Sequence, residues 1–208
     1  MIAHALLALA LTQSPAAQLR TSGTATLVSL YDSTHDDDTR DTIVRYLGER
    51  GDADAVAKLV AIAKSHDDDD VRESAIRTLS RESGDARTAL LIQIYDAIGD
   101  SDLKESALRF LAGRDKAANA KLIAVAKSER EDSDLRETAV RLIADADEAT
   151  PVLIDVYDTV HDSDLKETVI RHLGARGDAK AIAKLEAIAK GDADSDLRDV
   201  AIRQLARK

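Results

Sequence analysis

Three observations predict an all-α fold, a solenoid of six stacked helical hairpins. The first is a signature, Asp-Leu-Arg-Glu-Thr-Ala-Val-Arg at 134–141, whose six copies begin at Asp38, Asp70, Asp102, Asp134, Asp164 and Asp196. The steps between copies are 32, 32, 32, 30 and 32 residues. A fixed period of that length marks stacked supersecondary units, none of which can bury its apolar face alone. The second is helical spacing of the apolar residues within each copy. The third is composition: 44% of residues are hydrophobic but only 2% aromatic, with no Trp. Ala, Leu, Ile and Val must therefore supply the core, which suits close helix packing.

The six units run approximately 22–51, 52–84, 85–116, 117–147, 148–177 and 178–208. Each opens on a first helix with a Leu in an equivalent place: Leu27, Leu59, Leu91, Leu122, Leu153 and Leu185. Three residues later come Leu30, Ile62, Ile94, Val125, Val156 and Ile188, one helical turn on. An Asp-rich turn follows, then the signature helix. Counting its Asp as position zero, position five is Ile43, Ala75, Ala107, Ala139, Val169 and Ala201. Position six is Val44, Ile76, Leu108, Val140, Ile170 and Ile202, and position nine is Leu47, Leu79, Leu111, Ile143, Leu173 and Leu205. At about 100° per residue these share one helix face. The signature Asp stands where an N-cap belongs, and Gly48, Gly51, Gly84, Gly113, Gly174 and Gly177 stand where C-caps and turns are expected.

A second period overlies the first. Units one, three and five carry Tyr31-Asp32, Tyr95-Asp96 and Tyr157-Asp158, whereas units two, four and six carry Ala63-Lys64, Ala126-Lys127 and Ala189-Lys190. Either pairs were duplicated or alternate units pack differently. The outer units are more polar. Glu186 replaces the Val28, Val60, Ile92, Ile123 and Ile154 of earlier units, and Thr26 and Thr39 replace apolar residues in the first, as the ends of a soluble solenoid require.

These residues resemble HEAT-like repeats, in particular the short bacterial type named after the phycobilin lyases. The resemblance covers roughly residues 22–208. It rests on the Asp-(Leu/Val)-(Arg/Lys)-Glu core, the small residue and Leu downstream, and the Gly-Asp pairs Gly51-Asp52, Gly84-Asp85 and Gly177-Asp178. It implies a right-handed α-solenoid whose second helices line the concave side, with a ladder of side-chain bonds across successive turns. Arg40, Arg72, Lys104, Arg136, Lys166 and Arg198 fit that ladder. The Pro common early in the family's first helix survives only as Pro151.

The net charge of −10 argues against nucleic acid and anionic membranes, which need a basic patch. Without Cys there is no disulfide frame or thiolate metal site. The apolar run Ile2–Leu11, followed by Ser14-Pro15-Ala16, reads as a signal peptide over residues 1–16, leaving the repeats in 17–208 of a protein exported to the periplasm or beyond. The alternative is a cytoplasmic protein whose N-terminal helix covers the first unit.

No catalytic constellation emerges. No His is followed by Glu, as the similar HEAT-type di-iron hydroxylases would need, and the chain lacks the basic, aromatic cleft of a glycosylase. His35, His66 and His161 each precede an Asp in an inter-helix turn, where solvated polar residues are ordinary; a metal site is not expected. Asp192, Asp194 and Asp196 lack the Gly and Glu of a calcium loop, having Leu197 and Arg203 there. The Ser and Thr at position four (Thr42, Ser74, Ser106, Thr138, Thr168) recur with the repeat and so are not unique nucleophiles.

What remains is a surface. Position seven is always Arg: Arg45, Arg77, Arg109, Arg141, Arg171 and Arg203. Position three is always acidic, in the favourable i,i+4 order, worth about 0.3–0.5 kcal/mol per exposed pair. Position eight varies: Tyr46, Thr78, Phe110, Leu142, His172 and Gln204. The expected function is a non-catalytic scaffold that holds a protein or peptide along the concave face, through Arg77, Arg109, Arg141, Tyr46, Phe110, Leu142 and His172, without cofactor. Position eight equally suits packing between helices. Alternatives are a lyase-like chromophore binder or enzyme on this fold, and a structural element of an envelope assembly.

Overall fold

The computed structural model describes residues 15–207, with side chains from residue 23. The apolar run 2–11 lies outside the described residues, and the expected cleavage point near Ala16–Ala17 falls in the first turn of the first helix. The described residues form twelve α-helices and no strand. The chain divides into two compact units, one ending at Glu82 and one beginning at Ser83.

Unit one holds two hairpins: α1 (Pro15–Ser33) with α2 (Asp37–Arg50), and α3 (Ala53–Ala63) with α4 (Asp69–Ser80). Unit two holds four: α5 (Asp85–Ala97) with α6 (Ser101–Leu111), α7 (Lys116–Lys127) with α8 (Ser133–Ala144), α9 (Ala149–Thr159) with α10 (Ser163–Arg176), and α11 (Ala179–Gly191) with α12 (Ser195–Leu205). Within each unit, first helices pack on first helices and second on second, as α1 on α3 and α6 on α8 do. Within each of these bodies, each hairpin thus buries its apolar face against the next. Val44, Leu47, Ala75, Ile76, Ala107, Leu108, Leu111, Val140, Ile170 and Leu173 are all fully buried. The pattern stops in the last hairpin, where Ile202 is 51% exposed although every earlier position six is buried.

Helix starts depart from expectation by one register. The signature Asp is not the N-cap; the Asp two residues before it is. Asp36, Asp68, Asp100, Asp132, Asp162 and Asp194 precede the six second helices, and each carboxylate accepts a backbone N–H two or three residues on. The signature Asp sits in the first turn, where its charge complements the unpaired N–H groups and the helix dipole. Asp-x-Asp is therefore a two-part helix start in all six hairpins, and the Asp192–Asp196 string is a late copy of it.

The glycines also divide differently. Gly51 and Gly177 are left-handed C-caps (φ 60° and 63°) whose N–H groups bond Leu47 O and Leu173 O. Gly48 and Gly174 are not caps but lie inside helices, where the neighbouring helix comes close. A Cβ on Gly48 would fall 2.2 Å from Thr78 Cγ2, and one on Gly174 2.5 Å from the Gln204 amide oxygen.

The second period has a structural cause: the hairpins are stitched in pairs. Tyr31 donates to Asp67 (2.8 Å) in the next hairpin, and Tyr157 donates to Asp192 (2.6 Å). Tyr95 lies against Glu131 just short of hydrogen-bond geometry. Each ring is held between two cations: Arg40 and Lys58, Lys104 and Lys121, Lys166 and Lys184. The same lysines, from the even hairpin, pair with the Asp following each Tyr: Lys58–Asp32 (2.6 Å), Lys121–Asp96 (2.6 Å) and Lys184–Asp158 (2.5 Å). A buried Thr completes each stitch. Thr24 (2.5 Å) and Thr150 donate to Asp52 and Asp178, the N-caps of α3 and α11. Thr88 takes the same place before Asp115, the N-cap of α7, with its hydroxyl just short of hydrogen-bond geometry.

Candidate functional site

The second helices present the candidate face. Of its six Arg residues, Arg45, Arg77, Arg109, Arg141 and Arg171 have side chains more than half exposed, and Arg203 is exposed as well. Arg45, Arg77, Arg109 and Arg171 pair with the acid one turn earlier, Asp41 (3.5 Å), Glu73 (2.9 Å), Glu105 (2.7 Å) and Glu167. Arg141 differs, reaching across to Glu105 (3.4 Å) on α6 and donating to Thr138 Oγ1 (2.8 Å) on its own helix. Thr138 in turn donates to Glu105 (3.0 Å), so one carboxylate ties α6 to α8. Position four therefore does work in the face: its hydroxyl takes the Arg, as Thr42 does for Arg45 at 3.1 Å.

Position eight sits at the edge of the face and runs into the seam between second helices. Tyr46 is 52% exposed, and Phe110, Leu142 and His172 are half-buried. Thr78 is buried with its methyl over Gly48, and Gln204 lies over Gly174. Position ten is small in every copy, Gly48, Ser80, Ala112, Ala144, Gly174 and Ala206, and at Gly48 and Gly174 it meets the position-eight side chain of the next hairpin. That small column was the sequence signal for the close approach. Burial holds His172 below its ordinary pKa, with Asp145 opposing and Arg141 adding to the effect.

The expected ladder of cations is formed in part. Arg40 pairs with Asp67 (3.1 Å), Lys104 with Glu131 (3.1 Å) and Arg136 with Asp162 (2.9 Å), each in the following hairpin. Arg72 pairs with Asp69 on its own helix (2.7 Å), and Arg198 turns back to the Asp192 carbonyl (2.6 Å). Several carboxylates of this framework are held below their usual pKa. For Asp67, burial pushes up, but hydrogen bonds from Tyr31 and Ser65 and the charge of Arg40 outweigh it. Asp192 has the same balance, with Tyr157 as donor.

His35, His66 and His161 are exposed, and His161 lies 3.4 Å from the exposed Glu129. Among the described residues no three His, Asp or Glu side chains are grouped to hold a metal ion, and no helix is long and apolar enough to cross a membrane.

A family model of HEAT repeats matches residues 2–80, 24–112 and 119–206, so the chain belongs to the HEAT-repeat family. Such repeats are helical scaffolds, commonly ones that hold other proteins. No curated protein matches the chain. Among solved structures it is similar to a de novo designed 16-helix transmembrane nanopore, at 15% identity and a TM-score of 0.17, over 91% of this chain and 60% of that one. A score that low carries no argument about fold or function, and the chain spans well under two thirds of that protein.

Proposed function

We propose that the protein is a scaffold that binds a protein or peptide along the exposed face of its second helices. The observation that carries this reading is the repetition of an exposed Arg on the second helix of every hairpin, over a buried apolar face. Five described guanidinium groups of that column are more than half exposed while the positions five and six behind them are buried. Exposed i,i+4 pairs contribute only a few tenths of a kcal/mol each, so they can exchange partners at small cost. The half-buried Phe110 and Leu142 beside Arg109 and Arg141 supply apolar anchors of the kind that dominate interface energetics. A partner segment with carboxylates and one or two apolar side chains fits this face.

The test is capture of partners from the cells that make the protein, run in parallel with wild type, Arg109→Glu/Arg141→Glu and Lys116→Glu. Lys116 is exposed at the start of a first helix. A partner retained by wild type and Lys116→Glu but lost by the double variant supports the face; equal retention by all three overturns it. We further propose export with removal of residues 1–16, on the apolar run and the Ser14-Pro15-Ala16 site. Intact mass of protein from the cell exterior or periplasm tests this, and a cytosolic product retaining the N-terminus refutes it.

A further inference from the structure

We propose that the groove between α10 and α12 is the carboxylate-binding site of the scaffold, with Arg203 and Arg207 as its binding residues and an acidic peptide segment as its occupant. This rests on the reading of the second-helix face as a protein-binding surface and places its strongest point.

The five other column arginines have a built-in acceptor. Each pairs with a carboxylate, and Arg45 and Arg141 also use a position-four hydroxyl. Arg203 has neither. By the register that puts Arg141 and Thr138 on Glu105, Arg203 and position four of α12 should meet Glu167. Position four of α12 is Val200, the one copy without a hydroxyl. Its methyl groups can neither accept from Arg203 nor donate to Glu167. The acid one turn before Arg203 is Asp199, which is exposed, and among the described residues no ion pair joins the two. Glu167 is engaged by Arg171.

The result is an open cleft of about 540 Å³ walled by Arg171, Arg203, Arg207 and Glu167, and floored by Gly174 and Val200. Three guanidinium groups against one carboxylate give it a net charge of +2, on a chain whose total is −10. Arg203, in the last turn of α12, and Arg207, just past its C-cap Ala206, both line this cleft, so two like charges face one opening. The close approach of α10 and α12 over Gly174 sets the floor. Planar guanidinium forks bind carboxylates bidentately, and the walls leave room for an extended segment. Charge complementarity therefore selects an acidic peptide.

The probe is a fluorescein-labelled hexaglutamate peptide, with hexaglutamine as control, followed by anisotropy on the full chain at low and moderate salt. Wild type should bind hexaglutamate, more weakly as salt rises, and should not bind hexaglutamine. Arg203→Glu and Arg207→Glu should each weaken binding at least about tenfold, the change expected on losing one desolvated charge contact of about 1.4 kcal/mol. Val200→Thr is the decisive variant. It restores the hydroxyl without changing charge, should tie Arg203 down, and should weaken binding several-fold with an unchanged circular dichroism spectrum. Lys116→Glu, at the start of a first helix, should leave binding unchanged. Binding lost equally in Lys116→Glu and Arg203→Glu overturns the groove. No binding of hexaglutamate to wild type, or full binding by Val200→Thr and Arg203→Glu, overturns the groove alone. The broader reading is decided separately, by whether the Arg109→Glu/Arg141→Glu variant loses its captured partner.

Discussion

Leu111→Ala, set against Leu205→Ala, measures how stacking stabilises a hairpin. Both residues occupy position nine of a second helix in the compact body that begins at Ser83. Leu111 is fully buried, whereas Leu205 in the last helix is half-buried. Truncation removes three carbons. At about 0.8 kcal/mol per buried carbon group, the transfer loss at Leu111 is about 2.4 kcal/mol. The cavity left between packed helices raises this, so the total should fall at about 3–5 kcal/mol. At Leu205 the side chain already meets solvent on one side, so less transfer energy is lost and the site can relax. A loss of about 1–2 kcal/mol is expected there. Urea titrations followed by circular dichroism read both. Equal losses would show that the depth of burial at position nine does not set the cost, and would refute the reasoning.

Tyr157→Phe removes the hydroxyl that donates to Asp192 and should cost about 1.5–3 kcal/mol, as a hydrogen bond to a charged group does; an unchanged denaturation midpoint would show that the stitch is ornamental. Gly174→Ala should cost about 1–3 kcal/mol by driving α10 and α12 apart, because its Cβ would lie 2.5 Å from Gln204, and Gln204→Ala in the same chain should recover much of that loss. Stability should fall on acidification. The folded pKa values of Asp67, Asp192 and the cap Asp52 lie below their unfolded values, so the stabilisation is complete above about pH 4 and is lost as pH drops through the folded values. A midpoint in urea that is the same at pH 7 and pH 3 would contradict this.

The hairpins, their order and their apolar faces were legible in the sequence because a strict period places equivalent residues in equivalent environments. What escaped was the register of polar contacts between hairpins. The second period was visible as Tyr-Asp alternating with Ala-Lys, but its cause lay in Lys58, Lys121 and Lys184, which sit a turn before the Ala-Lys pairs. Those lysines look like ordinary solvated charges until the stacking brings them over the tyrosine rings of the previous hairpin. For the same reason Lys121, which reads as a free charge on a first helix, is a structural contact. The N-cap was misread by two residues because six consecutive copies of Asp-x-Asp offer two equally good candidates, and only backbone dihedrals separate a capping residue from one in the first turn. Gly48 and Gly174 resemble C-caps because Gly51 and Gly177 follow three residues later, and the close approach that requires them comes from residues some thirty positions away. On the candidate face, the Arg column was plain from the repeat. Its exception was not, since the missing hydroxyl at Val200 matters only once Thr138 is seen to bridge Arg141 and Glu105.

The claim that the second-helix face binds a partner is tested most directly by calorimetric titration of the captured partner into wild type, Arg109→Glu/Arg141→Glu, Phe110→Ala and Lys116→Glu at two salt concentrations. The account predicts that the double charge reversal weakens binding most at low salt, where exposed charges are least screened. It predicts that Phe110→Ala costs about 1–3 kcal/mol at either salt, and that Lys116→Glu binds like wild type. Binding that survives the Arg and Phe changes but is lost with Lys116→Glu would contradict the account and assign the partner to the first helices.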